Sequence, residues 1–336
     1  MGRLKFGISP CQEKQRFQDT LEQCVKAEEW GYDSIWMQEH HGADEGYYPS
    51  PLVALAGVAA RTERVQLGTS VLILPYYHPV HVAEDAIMVD VISRGRMVLG
   101  VGAGYREPEF SYFGVPFHQR IRRFREGLEV LHLAFRGEPF DYEGTFFRLS
   151  SVRVLPRPIQ MPRPPLWVGG WGKTSLRLAA RYGDAWIPGP TANLEKLQEA
   201  LGHYRQALQE EGKDPNAVEF PLLRELFVAA NEAHKEEALQ HLRHMYMEDY
   251  VRWSHQNVAS DTTPSFEALL RDRFIVGYPD EVIEALERFH DALGFDHLIA
   301  RMHFHSMRQE AVLESMRLFA REVMPYLRSR ERGRQK

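Results

Sequence analysis

The 336-residue chain has only two cysteines, Cys11 and Cys24. They form no CxxC pair and no metal-ligand spacing, so the fold is not built on disulfides and a reducing, cytoplasmic setting is expected. Long apolar runs are missing, and none approaches the length of a membrane span. The N-terminal MGRLKFGISP has too short an apolar stretch before Pro10 for a secretory signal, and it lacks the Ser or Thr at residue 6 that myristoylation needs. Positive charge is not in excess. Lys and Arg number 41 against 46 Asp and Glu, a formal net charge of −5, which does not suit a general nucleic-acid or anionic-membrane binder. HExxH, GxxxxGK(S/T) and GxGxxG are all absent.

What the chain does have is an alternation of two kinds of segment. LKFGIS (4–9) is a short apolar run, and FQDTLEQCVKAEEW (17–30) follows with helical spacing at Phe17, Leu21, Cys24 and Val25, ending at Gly31. The alternation continues. Strands are predicted at 4–9, 34–38, 65–74, 96–101, 165–169, 184–188, 221–230 and 295–302. Helices are predicted at 51–62, 81–93, 120–135, 173–183, 194–212, 235–254, 265–272, 279–294 and 310–327. The strands are apolar throughout, as parallel strands covered on both faces are. Eight such units are the plan of an α/β (β/α)8 TIM barrel, with a doubly wound open sheet as the other candidate. The connections 137–164 and 231–278 are long, the first with FDYEGTFFRL and a proline run that fit a hairpin and a rigid lead-in. Neither is low in complexity, so residues 1–336 read as one domain with two insertions.

In a barrel, function sits where strands end. That rule selects Ser9–Cys11, Glu39–Gly42, Thr69–Leu72, Gly102–Glu109, Gly169–Thr174, Pro188–Pro190 and His303–His305. At Glu39-His40-His41, strand alternation turns only one histidine toward the mouth. No metal centre is expected there. One histidine would be held by Glu39 or the backbone as a general base, or both are ordinary loop-edge residues. In WVGGWGKTS (167–175), Gly169, Gly170 and Gly172 lead into a helix opening with Lys173 and Thr174. Free helix N–H groups and glycine backbones suit a phosphate, although a plain packing turn has the same look. In GVGAGYREPEF (100–110), Arg106 pairs with an anion or with Glu107 or Glu109.

AEEWGYDSIWMQEHHG (27–42), VQLGTSVLILPYYHPVHVAEDAIMVDVISRGRMVLGVGAGY (65–105), PPLWVGGWGKTSLRLAARYGDAWIP (164–188) and MRLFAREVMPYLR (316–328) together resemble the bacterial-luciferase-like flavin monooxygenase family over nearly the whole chain. The resemblance implies the (β/α)8 barrel. It implies reduced FMN supplied by a separate NAD(P)H-dependent flavin reductase, addition of O2 at the flavin C4a position, and oxidation of a small organic substrate. His40 matches the histidine that acts as base beside the flavin ring, with Glu39 before it. Ser70 and Val71 match a pair often joined by a non-proline cis peptide under the ring. Gly169, Gly170, Trp171, Gly172 and Thr174 match the surroundings of the flavin phosphate, and Arg106 sits one turn from an arginine that pairs with it. Cys11, Tyr105, Trp171 and Trp186 are candidates for the pocket wall or for ordinary core. Family precedent also implies a homodimer packed through helices such as 51–62 and 81–93.

Two departures stand out. Gly102 and Ala103 occupy the region where the luciferase carries a reactive cysteine, and Gly170 and Trp171 replace acidic and serine residues of its phosphate loop, so light emission is not implied. The GGWGKTS loop also resembles relatives that use the deazaflavin coenzyme F420, which makes a hydride-transferring oxidoreductase the alternative. A non-catalytic flavin-binding protein is a third reading, against which the retained His40 and eight strands argue. The substrate is not named by any of these residues.

Overall fold

Short apolar runs separated by helical ones impose a repeating strand–helix path. The computed structural model describes residues 3–13, 15–42, 47–246, 266, 270 and 273–334. Its strands are β1 (Lys5–Ser9), β2 (Ser34–Met37), β3 (Gln66–Thr69), β4 (Leu72–Ile73), β5 (Met97–Gly102), β6 (Phe140–Glu143), β7 (Arg148–Val152), β8 (Leu166–Gly169), β9 (Ala185–Ile187), β10 (Pro221–Val228), β11 (Ile275–Gly277) and β12 (His297–Arg301). The helices are α1 (Phe17–Glu29), α2 (Pro51–Ala59), α3 (Pro79–Ser93), α4 (Glu107–Tyr112), α5 (Arg120–Ala134), α6 (Lys173–Tyr182), α7 (Leu194–Glu210), α8 (Glu232–Met245), α9 (Pro279–Leu293), α10 (Gln309–Leu318) and α11 (Met324–Arg334).

One sheet runs β11-β10-β12-β1-β2-β3-β5-β8-β9, with β4 also on β5, and its ladders are parallel. The result is an α/β fold around a curled, mostly parallel sheet. No ladder joins β9 to β10 among the described residues. Side chains span that seam instead. The Trp186 and Phe220 rings stack at 5.7 Å, and Arg224 donates to the carbonyls of Pro190 at 2.9 Å and Ala192 at 3.1 Å.

The interior of the curl is filled by two stacked indoles, Trp36 and Trp167, 4.3 Å apart, with Val98, Ala185, Ile187, Leu223 and Ile299 around them. Gly68 makes room for this stack, because a Cβ there would lie 2.2 Å from the Trp36 ring. A polar chain crosses the amino ends of the strands. Glu219 lies 2.9 Å from Lys5 Nζ and 3.0 Å from His297 Nδ1, and His297 Nε2 lies 2.7 Å from Ser34 Oγ, which accepts from Trp36 Nε1. With that hydroxyl's proton pointed at Nε2, His297 carries its own proton on Nδ1, toward the carboxylate. The larger core lies between the sheet and the helices.

Helix ends follow local chemistry. Asn193 caps α7 by accepting from Lys196 N, and α9 stops at Gly294, whose φ of +68° closes a left-handed cap. After α3, Arg94 and Gly95 both take positive φ, and Arg96 reaches back to the carbonyls of Ala59, Thr62 and Val65. The SRGR run is therefore a bolt between α2 and the sheet.

Three differences from the sequence reading appear. The strand expected at 65–74 is split into β3 and β4 at the Ser70–Val71 peptide, which is cis. β11 was not foreseen; three residues are too few to leave a period in the sequence. The short helix α4 likewise sits in a stretch read as a turn. The helix expected at 265–272 lies outside the described residues apart from Phe266 and Leu270, and α8 is described only to Met245 and Tyr246. The hairpin expected within 137–164 is present as antiparallel β6 and β7, followed by cis peptides before Pro156 and Pro162.

Candidate active site

Parallel strands end together, so the carboxyl ends of β1, β2, β3, β5, β8 and β12 bring distant residues to one rim. Gln38 follows β2 and binds across this rim. It accepts from Ser9 Oγ at 2.8 Å, donates to Ser70 Oγ at 2.9 Å, and exchanges two hydrogen bonds with the Gln12 side chain at 2.8 and 3.0 Å. The strand carrying the histidine pair is thereby fixed to the residue that opens the cis peptide.

The two histidines face different carboxylates, in line with strand alternation. His40 Nδ1 lies 3.0 Å from Glu109 Oε1, and His41 Nε2 lies 2.6 Å from Glu39 Oε1. The histidine that Glu39 holds is thus His41, and His40 takes its carboxylate from elsewhere. Glu39, 1% exposed, is taken up by His41, by the Tyr77 hydroxyl at 2.6 Å and by the Ile73 N–H at 2.6 Å. It ties its loop to the segment after the cis peptide. The partner of His40 comes from α4, a residue that the sequence offered only as a mate for Arg106. That pairing exists as well, at 2.8 Å. Glu109 also accepts from Tyr76 OH at 3.1 Å and His41 N at 3.3 Å. Burial pushes the Glu109 carboxyl up, but the His40 hydrogen bond and charge, then Arg106 and the His41 N–H, outweigh it and hold it below the usual carboxylate range. Burial and the neighbouring carboxylates push the Tyr76 and Tyr77 phenols well above their ordinary value, so both stay protonated donors. The His40 ring meets Tyr47 at 4.8 Å and Tyr105 at 5.9 Å, edge to face.

The Ser70–Val71 peptide lies beside this network. Ser70 N donates to Met37 O at 2.7 Å, and Thr69 Oγ1 donates to Gly100 O at 2.6 Å. Val71 is seated between two glycines. A Cβ on Gly102 would come within 2.6 Å of Val71 Cγ2, and one on Gly169 within 3.1 Å of Cγ1. A side chain at 102 would therefore have to displace Val71.

Beyond Gly169 the loop turns through Gly170 at φ +142° and enters α6 at Lys173. Trp186 is wholly buried core and donates from Nε1 to Gly170 O at 2.7 Å; Trp171 stands perpendicular to it at 5.7 Å. Gly172, Lys173 and Thr174 are exposed, a Cβ at Gly172 would meet nothing within 4 Å, and the first N–H groups of α6 have no partner within the helix. This is a fit for a phosphate on the loop and a flat ring over Val71: backbone donors in open space at one end, a glycine-flanked platform at the other. Cys11 is buried, and its thiol points to a different part of the rim. A small cleft opens there, lined by Gln12, Gln38, Tyr47, Arg301, His303 and His305 among others. Arg301 is paired with Glu225 at 2.7 Å and donates to Tyr47 OH at 2.5 Å, which joins the cleft to the His40 ring.

No helix among the described residues is long and apolar enough to cross a membrane. Residues 5–297 match the model of the luciferase-like monooxygenase family. The chain is 27% identical to the oxygenase component of the flavin-dependent trigonelline monooxygenase of Acinetobacter baylyi, covering 93% of this chain and 90% of that protein. It is 31% identical to the F420-dependent glucose-6-phosphate dehydrogenase of Microbacterium testaceum, covering 97% and 98%. Its structure superposes on the crystal structure of the monooxygenase RslO1 from Streptomyces bottropensis with a TM-score of 0.85, 30% identity, and coverage of 96% and 100%. Its relatives thus include both flavin monooxygenases and F420-dependent dehydrogenases. The chain is an oxidoreductase that belongs to the luciferase-like monooxygenase family.

Proposed function

We propose that this chain is the oxygenase component of a two-component flavin monooxygenase, a single-domain barrel that takes reduced FMN from an NAD(P)H-dependent reductase and oxidises a small organic substrate with O2. The observation that carries the reading is the His40–Glu109 pair standing at the rim with the glycine-flanked Val71 and the open N-terminus of α6. Bound reduced FMN supplies the activation of O2. The chain supplies the rest. Backbone N–H groups of α6 with Lys173 and Thr174 hold the phosphate, Arg106 adds positive charge at the rim, and Ser70 and Val71 present a flat surface. Glu109 accepts a hydrogen bond from His40 Nδ1, which fixes the ring and assigns the role of base to Nε2. Tyr47, Tyr105 and the apolar ring edges keep water away from that atom.

The barrel is inferred to close at the β9–β10 seam, supported by the Trp186–Phe220 stack and the Arg224 bridge. A homodimer through α2 and α3 is supported by Val53, Met88 and Ile92, apolar side chains exposed on those two helices. We also infer a cytoplasmic setting, supported by the two buried cysteines that form no disulfide.

The second reading is an F420-dependent oxidoreductase moving hydride without O2. The observation that favours it is the near end-to-end match to an F420-dependent dehydrogenase at 31% identity. Anaerobic titration with FMN, reduced FMN and F420 separates the two. Reduced FMN binding at micromolar level or tighter, with F420 excluded, supports oxygenation. Binding of F420 alone moves the assignment to hydride transfer. Binding of neither overturns the phosphate-loop reading.

A further inference from the structure

β1 and β12 are parallel neighbours whose last registered pair is Ser9 and Arg301. Two residues past the end of each strand, Cys11 and His303 stand close together at the rim. Glu13 joins them from the same loop as Cys11. One ligand atom from each of the three, a thiol sulfur, a carboxylate oxygen and an imidazole nitrogen, lie within 4.8 Å of one another. Cys11 is fully buried and His303 is 5% exposed, so this is not a chance meeting of surface groups.

We propose that Cys11, Glu13 and His303 form a binding site for a thiophilic divalent cation, Zn2+ by its donor set. His303 Nε2 and Glu13 Oε1 lie 2.9 Å apart, close to the spacing of two ligands on one ion, so a cation seated between them takes the place of that hydrogen bond. His303 Nδ1 is buried without a hydrogen-bond partner, and the ring keeps its proton there when Nε2 binds the ion. Arg16 binds the other oxygen of Glu13, Oε2, at 2.9 Å, and the Ser306 N–H donates to Oε1, so the carboxylate is oriented from behind.

One thiolate, one imidazole and one carboxylate make three protein ligands, with a fourth position open. Glu13 and His303 both line the cleft, so that position faces the cleft. Binding takes the proton from the Cys11 thiol, releases it to solvent and forms an S–metal bond; nothing is oxidised or reduced. The ligand atoms draw together by about 1 Å to reach Zn–S and Zn–N bonds near 2.3 and 2.0 Å. The site is independent of the flavin reading, since it shares no residue with His40, Glu109, Val71 or the α6 loop.

The test is titration of the metal-free full-length chain with Co2+, an open-shell stand-in for Zn2+. The expected result is one equivalent bound with a thiolate-to-cobalt charge-transfer band in the near ultraviolet, bleached by one equivalent of Zn2+. Surface histidines bind Co2+ without that band. Cys11→Ser should abolish it, His303→Gln should weaken binding about tenfold or more, and Cys24→Ala should keep it. Zn2+ should also raise the Tm of the parent chain and leave that of Cys11→Ser unmoved. Absence of the band in the folded parent chain at millimolar Co2+, or its persistence in Cys11→Ser, overturns the proposal.

Discussion

His40 Nδ1 stands 3.0 Å from a carboxylate oxygen of Glu109, a residue 69 positions away in α4. The contact fixes the orientation of the imidazole ring. Glu109 also carries Arg106, Tyr76 and the His41 N–H, so it is the organising group of the rim.

Replacing Glu109 with Gln should therefore separate positioning from binding. The amide keeps the volume but removes the charge that Arg106 and His40 share. We expect turnover to fall by about 10²- to 10⁴-fold, the scale of a general base out of place, with cofactor affinity changed far less. His40→Ala should fall as far, and the double variant little further, because the two act as a unit. A Glu109→Gln enzyme with parental kcat would remove His40–Glu109 from the reaction.

Val71 packed between Gly102 and Gly169 sets up a second test. Gly102→Ala puts a Cβ 2.6 Å from Val71 Cγ2, whereas Gly169→Ala meets Cγ1 at a looser 3.1 Å. Gly102→Ala should cost about 1–3 kcal/mol and weaken cofactor binding, and Gly169→Ala should cost less. Val71→Ala added to Gly102→Ala should restore part of the loss. Denaturant melts of the parent, Gly102→Ala, Val71→Ala and the double variant give the coupling, and strict additivity would mean that the two side chains do not meet.

The strands could be read from sequence because strands buried on both faces are apolar end to end, a pattern that survives without knowing their neighbours. The EHH stretch, the glycine loop and Ser70–Val71 could be placed because each is local. Partners could not. Glu109 for His40, Glu39 for His41, Gln38 for Ser9 and Ser70, and Glu13 for His303 are settled by which strands lie side by side and how their ends stagger. The sequence left open which histidine Glu39 holds; alternation along the chain gives it to His41, two residues on and on the same side. Trp186 shows the converse: it lies next to the candidate loop and is core.

Gln38 leads to a third expectation. All its side-chain polar atoms are bonded, and Gln38→Leu leaves the buried Ser9 and Ser70 hydroxyls without it. Each unsatisfied group costs about 1–3 kcal/mol, so the Tm should drop by several degrees. Because Gln38 holds Ser70 beside Val71, the proposed platform for the ring, cofactor affinity should fall in the same variant. A binding titration that matches the parent, alongside a lowered Tm, would make Gln38 a stability residue only.

The last expectation concerns acid. Burial pushes the Glu219 carboxyl up, but the hydrogen bond and charge of His297 and the nearby Lys5 outweigh it and hold it down at about 2, against an ordinary 4.5. A carboxyl with a depressed folded pKa binds its proton more weakly in the native state than in the unfolded one. Its contribution is therefore fully present above about pH 4.5 and is lost as pH falls through that value toward 2. The amount at stake is about 3 kcal/mol. Glu219→Gln should lower stability at neutral pH and flatten the acid limb between pH 5 and 3, so that parent and variant converge as the solution is acidified. Urea melts across that range measure it. Parallel curves for the two chains would mean that the Lys5–Glu219–His297–Ser34–Trp36 chain does not depend on a charged Glu219, and that the stacked indoles alone hold the amino end of the curl.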